Sequence, residues 1–198
     1  MKIIDVAKKF KHTHFGINER YRQRTAAALI ALCCISGLTV DSFAFYQQPA
    51  SKKGLLISQQ SMFDDIQALG VDQVVCNLSS AQYIDSFAPL ASKCRNNNIT
   101  LTMILLNSAD SGNKAMLPVS SPVSGVGYYA FNADTAEGEQ AVRNYAKEVA
   151  SFYADTVSNW VIGNEVNDGA VWDYSGIADI DAHAASYAKA FRIFYEEI

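Results

Sequence analysis

The sequence predicts an α/β fold in which a parallel sheet is covered by helices. Two observations lead there. Short apolar runs, several of them β-branched, alternate with segments of helical period, and the strand–helix order repeats four times along the chain. Two architectures share that pattern, an open doubly wound sheet and a (β/α)8 barrel, of which four units make half. Neither G-x-G-x-x-G nor G-x-x-x-x-G-K-[ST] occurs, so the nucleotide-binding forms of the open sheet lose support.

The elements follow in order. Residues 54–58 form a short apolar run, the first strand. Ser61 reads as a helix N-cap with Asp64 at the capping-box position; Met62, Ile66 and Leu69 recur at helical spacing, and Gly70 ends the segment. VDQVVCNL, at 71–78, reads as a buried strand. Tyr83, Phe87, Leu90, Ala91 and Cys94 make one helical face, closed by Asn96, Asn97 and Asn98. ITLTMILL, at 99–106, is the clearest strand. A loop over 107–134 carries Gly, Ser and Pro and no helical period, a length usually tied to function. Its aromatic end, Tyr128, Tyr129, Phe131 and Asn132, is expected to plug the sheet end. Asp134 with Glu137 opens a third helix, striped by Val142, Tyr145, Val149 and Phe152. NWVIG, at 159–163, is the fourth strand. A polar loop over 164–176 precedes a last helix with Ile180, Ala184, Tyr187, Phe191 and Phe194 on one face.

Composition narrows the function classes. The chain has 198 residues and is 49% hydrophobic, enough for a core. Seven of the sixteen Lys and Arg precede residue 25, and an apolar run, AAALIALCCISGLTV, follows at 26–40. Ser42-Phe43-Ala44 then offers small residues at a cleavage site. That order describes a secretory signal peptide over 1–44, with cleavage after Ala44 favoured and an uncleaved N-terminal anchor as the alternative, then a linker over 45–53 and a domain over 54–198. The expected product is secreted, with no membrane attachment after cleavage. After Ala44, nine basic residues face seventeen acidic ones, a balance that repels phosphate backbones and argues against nucleic-acid binding. Cys76 and Cys94 read as small buried hydrophobes rather than a disulfide.

The residues with chemistry cluster at strand ends. The fourth strand runs straight into Gly163-Asn164-Glu165, which sets a carboxylate at the carboxyl end of a strand, where α/β folds bind ligands. A carboxyl group there, in a cleft with Trp and Tyr, suits general acid catalysis, and Asn164 can donate an amide hydrogen bond to a sugar hydroxyl. An ordinary structural Glu fits the same three residues about as well. Asn77 and Asn107 end strands two and three and face either the cleft or a turn. Trp172 and Tyr174 are candidates to stack on a sugar ring or to lid the core; Asn167 and Asp168 are wall or loop-fixing residues. His183 lies on a helix and completes no metal set, and neither a zinc nor a calcium motif occurs. No G-x-S-x-G is present, so a serine hydrolase has no nucleophile elbow.

Several stretches together resemble a family of secreted bacterial proteins described as a glycoside-hydrolase-like domain of unknown function. They are SMFDDIQALGV (61–71), ILLN (104–107), YYAFNADTAEG (128–138), NWVIGNEVN (159–167), W-x-Y-x-G (Trp172, Tyr174, Gly176) and FRIFYEEI (191–198), in the family's order. Asn164-Glu165 is similar to the acid/base signature of the clan of retaining glycosidases built on TIM barrels. The resemblance implies a (β/α)8 barrel whose first four βα units lie in this chain, an N-terminal portion of it. It implies Glu165 as acid/base, Asn164 as its substrate-orienting neighbour, and a nucleophilic Glu at the end of the seventh strand, beyond Ile198. A carbohydrate is the expected partner, and no cofactor is expected, because a pair of carboxyl groups suffices. A barrel-derived protein that binds a glycan without cleaving it, or a chain with no activity by itself, is the alternative expectation.

Overall fold

The computed structural model describes residues 51 and 53–198. The expected signal peptide, and all of the linker but Ser51 and Lys53, lie outside the described residues. Ser51 is tied to the domain by hydrogen bonds from its backbone N–H and its hydroxyl to the Asp72 carboxylate.

Four strands form one parallel sheet: β1 (Gly54–Leu56), β2 (Gln73–Ser79), β3 (Thr100–Ser108) and β5 (Asn159–Ile162). Register runs straight across it, Leu56 beside Val75, Val75 beside Thr102 and Thr102 beside Asn159. Helix α1 (Phe63–Leu69) follows β1, α2 (Ala88–Asn96) follows β2, α3 (Ala136–Tyr153) follows β3, and α4 (Ile180–Glu197) follows β5. Spatial order in the parallel sheet therefore equals chain order. Val74, Cys76, Leu78, Leu101, Met103 and Leu105 are fully buried in one core with the inner residues of α1, α2 and α3. The alternate residues point to the other face. There Val75, Thr102 and Ile104 are half-buried, Asn77 is exposed and Val161 is 42% exposed. A doubly wound sheet needs a reversal of strand order and helices on both faces, and the described residues show neither. The result is a curled, open sheet of mixed α/β type, compatible with part of a barrel.

Local chemistry sets each helix end. Gly70 adopts a left-handed conformation (φ 61), and the Val71 N–H reaches back to the Ile66 carbonyl at 3.1 Å, a Schellman closure of α1. Asn98 does the same after α2 at φ 57, with the Ile99 N–H on the Cys94 carbonyl at 2.8 Å. At the start of α1, Ser61 is not the cap. A 3-10 turn over Gln60–Met62 leads into the helix and the Phe63 N–H bonds to the Gln60 carbonyl, so the backbone supplies what a cap would. Tyr83 is 85% exposed and precedes a second 3-10 turn, Ile84–Phe87, so the second helical face begins later than its aromatic spacing suggests. At α3 the cap is Thr135, whose Oγ1 accepts from the Gly138 N–H at 3.0 Å. Asp134 instead reaches across to Ser186 and Lys189 of α4, and these hydrogen bonds hold its carboxyl below the usual carboxylate range.

Two stripes are corrected in detail. In α3, Val142, Tyr145 and Val149 are buried as expected, but Phe152 is half-exposed and Tyr153 takes the inner place. Its hydroxyl donates to the Ile84 carbonyl and accepts from the Phe87 N–H, which is what makes a buried tyrosine tolerable there. In α4 the inner face is His183, Ser186, Ala190, Ile193 and Phe194; Ile180, Ala184 and Phe191 are exposed and Tyr187 is half-buried. Polar ties set that rotation: Ser186 and Lys189 to Asp134, and Arg143 of α3 to Glu196 and Glu197. Cys76 and Cys94 are free and buried, and burial, with Cys94 adding to the effect at Cys76, pushes both thiols up to about 12.

Candidate functional site

The loops at the carboxyl ends of β3 and β5 are knitted into one surface. The 107–134 loop contains a 3-10 turn, Lys114–Met116, and a two-residue strand, β4 (Tyr128–Tyr129), antiparallel to Asn107 and Ser108. Asn107 is the pin. Its amide donates to the Met116 carbonyl at 2.8 Å and the Ala130 carbonyl at 2.9 Å, and its oxygen accepts from the Ser80 hydroxyl at 3.2 Å. With these bonds and its full burial, Asn107 is committed to the loop. Asn107→Ala strands the buried Ala130 carbonyl, takes one of two donors from the Met116 carbonyl and removes the acceptor of the Ser80 hydroxyl, so a loss of about 2 kcal/mol is expected in urea unfolding. A midpoint equal to wild type would show that water replaces the amide without cost.

The second loop joins the first through Tyr174. Its N–H donates to the Tyr128 carbonyl, its carbonyl accepts from the Ala130 N–H, and its ring meets Tyr129 edge-on at 5.7 Å. Trp172, 39% exposed, lies flat on half-buried Tyr128 with centroids 5.5 Å apart and planes 10° apart. The pair forms a wide aromatic platform at the loop surface.

Glu165 is on the same β5–α4 loop as Trp172 and Tyr174. Gly163 still donates to the Leu105 carbonyl at 2.9 Å and then turns away at φ 76. A Cβ there would lie 2.8 Å from Val166 Cγ1, so both conformation and space demand glycine. Asn164 is half-buried. Glu165 adopts φ 51, one of two non-glycine residues with positive φ among the described residues, and is exposed. Its carbonyl accepts from the Asp168 N–H at 2.7 Å. Asp168 organises the turn: its Oδ1 accepts from Ala170, and its carbonyl from Trp172 and Asp173. Asn167 is exposed on this turn. Asn77 is exposed near the carboxyl end of β2, on the sheet face opposite the core and in register with Ile104.

Beneath the loop lies a polar cluster that the sequence reading passed over. Asp173, Ser175 and His183 are all at most 5% exposed. His183 Nδ1 is 2.8 Å from Ser175 Oγ, and Nε2 is 2.8 Å from the Val166 carbonyl and 3.3 Å from Asp173 Oδ2. The signal available in sequence was a histidine one turn after the Asp179 N-cap, in line with Ser186 and Ala190.

Burial pushes the Asp173 carboxyl up to about 6, against the opposing pull of His183. The folded state therefore holds this proton more tightly than the unfolded chain. Stability from this group is present below about pH 4 and is lost as pH rises to about 6, by roughly 2–3 kcal/mol. Urea unfolding of wild type and Asp173→Asn at pH 4 and pH 7 checks this. The wild type should lose stability relative to the variant across that window, and a constant difference would contradict it.

Residues 79–198 match the model of a family of unknown function (DUF5722). The chain belongs to that family. The matched segment holds Asn107, Glu165, Trp172 and His183, and begins at the last residue of β2. No curated protein and no solved structure matches the chain. Among the described residues, none of the His, Cys, Asp and Glu form a group of three that could hold a metal ion. No described helix is long and apolar enough to cross a membrane.

Proposed function

We propose that the chain belongs to a secreted retaining glycoside hydrolase of barrel type, in which Glu165 is the acid/base. One observation carries the reading: an exposed carboxylate at the carboxyl end of a parallel strand, on a backbone held at φ 51. Non-glycine residues in that region are strained, and such strain clusters at functional sites. In the first step Glu165 gives its proton to the glycosidic oxygen as the bond from that oxygen to the anomeric carbon breaks. A second carboxylate bonds to the anomeric carbon. In the second step ionised Glu165 takes a proton from water, the water oxygen bonds to the anomeric carbon, and the nucleophile leaves. On this reading the second carboxylate stands on the seventh strand of a complete barrel, about 5–5.5 Å from the first.

Asn164 orients a substrate hydroxyl beside Glu165, and Asn167 and Asn77 line the approach. Trp172, backed by Tyr128, stacks on a sugar ring; Tyr174 supports the platform through Tyr129. The platform also favours a second reading, a glycan-binding surface that does not cleave, because stacking needs no second carboxylate. The experiment is hydrolysis of a panel of aryl α- and β-glycosides by wild type and Glu165→Gln, with oligosaccharide binding measured for both. Loss of hydrolysis with retained binding supports the enzyme. Undiminished turnover by Glu165→Gln overturns it. Binding by both proteins with hydrolysis by neither selects the second reading.

A further inference from the structure

We propose that His183 is a positioning residue for Glu165, acting through the carbonyl of the adjacent Val166. The inference rests on the reading of Glu165 as the reacting carboxylate, and its geometry is separate from that residue's chemistry. The Ile177 N–H donates to Ser175 Oγ at 3.1 Å, which leaves the Ser175 hydrogen free to point at His183 Nδ1. Nδ1 then accepts, so the ring proton of the neutral imidazole is on Nε2, where it meets the Val166 carbonyl. Three donors run in one direction and settle the tautomer. Asp173 Oδ2 lies 3.3 Å from the same Nε2 without a hydrogen bond to it, and a carboxylate that close favours the proton on that nitrogen by charge alone.

Packing closes the arrangement from two sides. The ring lies 3.6–3.8 Å from where a Cβ on Gly169 would sit, so the turn folds directly over it. The Val166 side chain fills the space that the missing Cβ of Gly163 leaves. Val166 is thus held by its carbonyl from α4 and by its side chain from the end of β5. Glu165 lies between Gly163 and the doubly held Val166, and a relaxed loop would let it leave the left-handed region. The ring is on a helix and the carboxylate is on a loop, so the hydrogen bond transfers the rigidity of α4 to the candidate site.

The test is hydrogen exchange of the full chain in three proteins. His183→Gln carries an amide nitrogen at about the reach of Nε2, whereas His183→Asn reaches only to the position of Nδ1. In His183→Asn, exchange of the Asp168, Trp172 and Asp173 amides is expected to rise about fivefold to tenfold, the equivalent of one lost hydrogen bond. In His183→Gln it should stay within about twofold of wild type. Amides of β2 and β3 should be unchanged in both. An equal rise in both variants, no rise in either, or a rise shared with β2 and β3 would overturn the proposal. Nitrogen-15 spectra of the wild-type histidines serve where a variant does not fold: a His183 proton on Nδ1 in place of Nε2 overturns it equally. No readout here uses turnover, so an undiminished Glu165→Gln enzyme would remove the glycosidase reading and leave the His183 to Val166 tie standing.

Discussion

Glu165→Gln is expected to lower hydrolysis of an aryl glycoside with a poor leaving group by about 10²–10⁴-fold. The amide keeps the size of the side chain and loses the transferable proton. The size of the effect should depend on the substrate. A leaving phenolate that is already stable needs little protonation, so with such a glycoside the first step survives in the variant. The second step still needs a base to activate water, so the glycosyl-enzyme accumulates, kcat falls and KM falls with it. An equal loss for good and poor leaving groups would place the residue outside proton transfer. Stability separates this from an architectural role. Glu165 is exposed and its carboxylate is in no ion pair among the described residues, so Glu165→Gln should unfold within about 0.5 kcal/mol of wild type. Glu165→Gly exchanges the strain at φ 51 for backbone entropy and should stay within about 1 kcal/mol, with activity lost in full.

The parts that were legible in sequence are those decided by local chemistry or by a continuous apolar run. The four parallel strands are near-continuous runs, and all four emerge within about two residues of their expected bounds, the accuracy expected of element ends. Gly70 needed only its own φ to end α1. The strand-end carboxylate was legible because Trp160-Val161-Ile162 leads straight to it. The face of α4 was not, since an apolar stripe assigns His183 and Ser186 to solvent, whereas tertiary hydrogen bonds bury both. β4 was hidden for a related reason. Two residues make no pattern, and Tyr128–Tyr129 is a strand only because Asn107 and Ser108 lie beside it. Asp134 and Thr135 are equally good caps by composition, and Lys189, far along the chain, draws Asp134 away. Asp173, Ser175 and His183 come from a loop and a helix that meet only when the chain folds, so their joint burial leaves no local trace.

Gly138→Ala is expected to destabilise the protein by about 3–4 kcal/mol, although the same change in an exposed helix would stabilise it by about 1 kcal/mol. Gly138 lies in the first turn of α3, buried against Asn132. A Cβ there would lie 2.3 Å from Asn132 Nδ2, 2.4 Å from its Cγ and 2.6 Å from its backbone oxygen. A flexible side-chain tip can swing aside, but a backbone oxygen moves only with its chain. That chain is fixed, because the Asn132 N–H donates to the Met116 carbonyl at 2.9 Å and its amide donates to the Ala115 carbonyl and to Thr135 Oγ1. Thr135 is itself the α3 cap, so displacing Asn132 loosens the start of that helix as well as the 107–134 loop. Urea unfolding of a double-mutant cycle divides the cost. Asn132→Ala removes the two side-chain obstacles and leaves the oxygen, so the double variant should recover part of the loss and not all of it. Full recovery would mean that the backbone yields freely. A Gly138→Ala protein as stable as wild type would mean that α3 does not pack against Asn132 in solution, and the loop that carries Tyr128 would then lose its anchor to the helix layer.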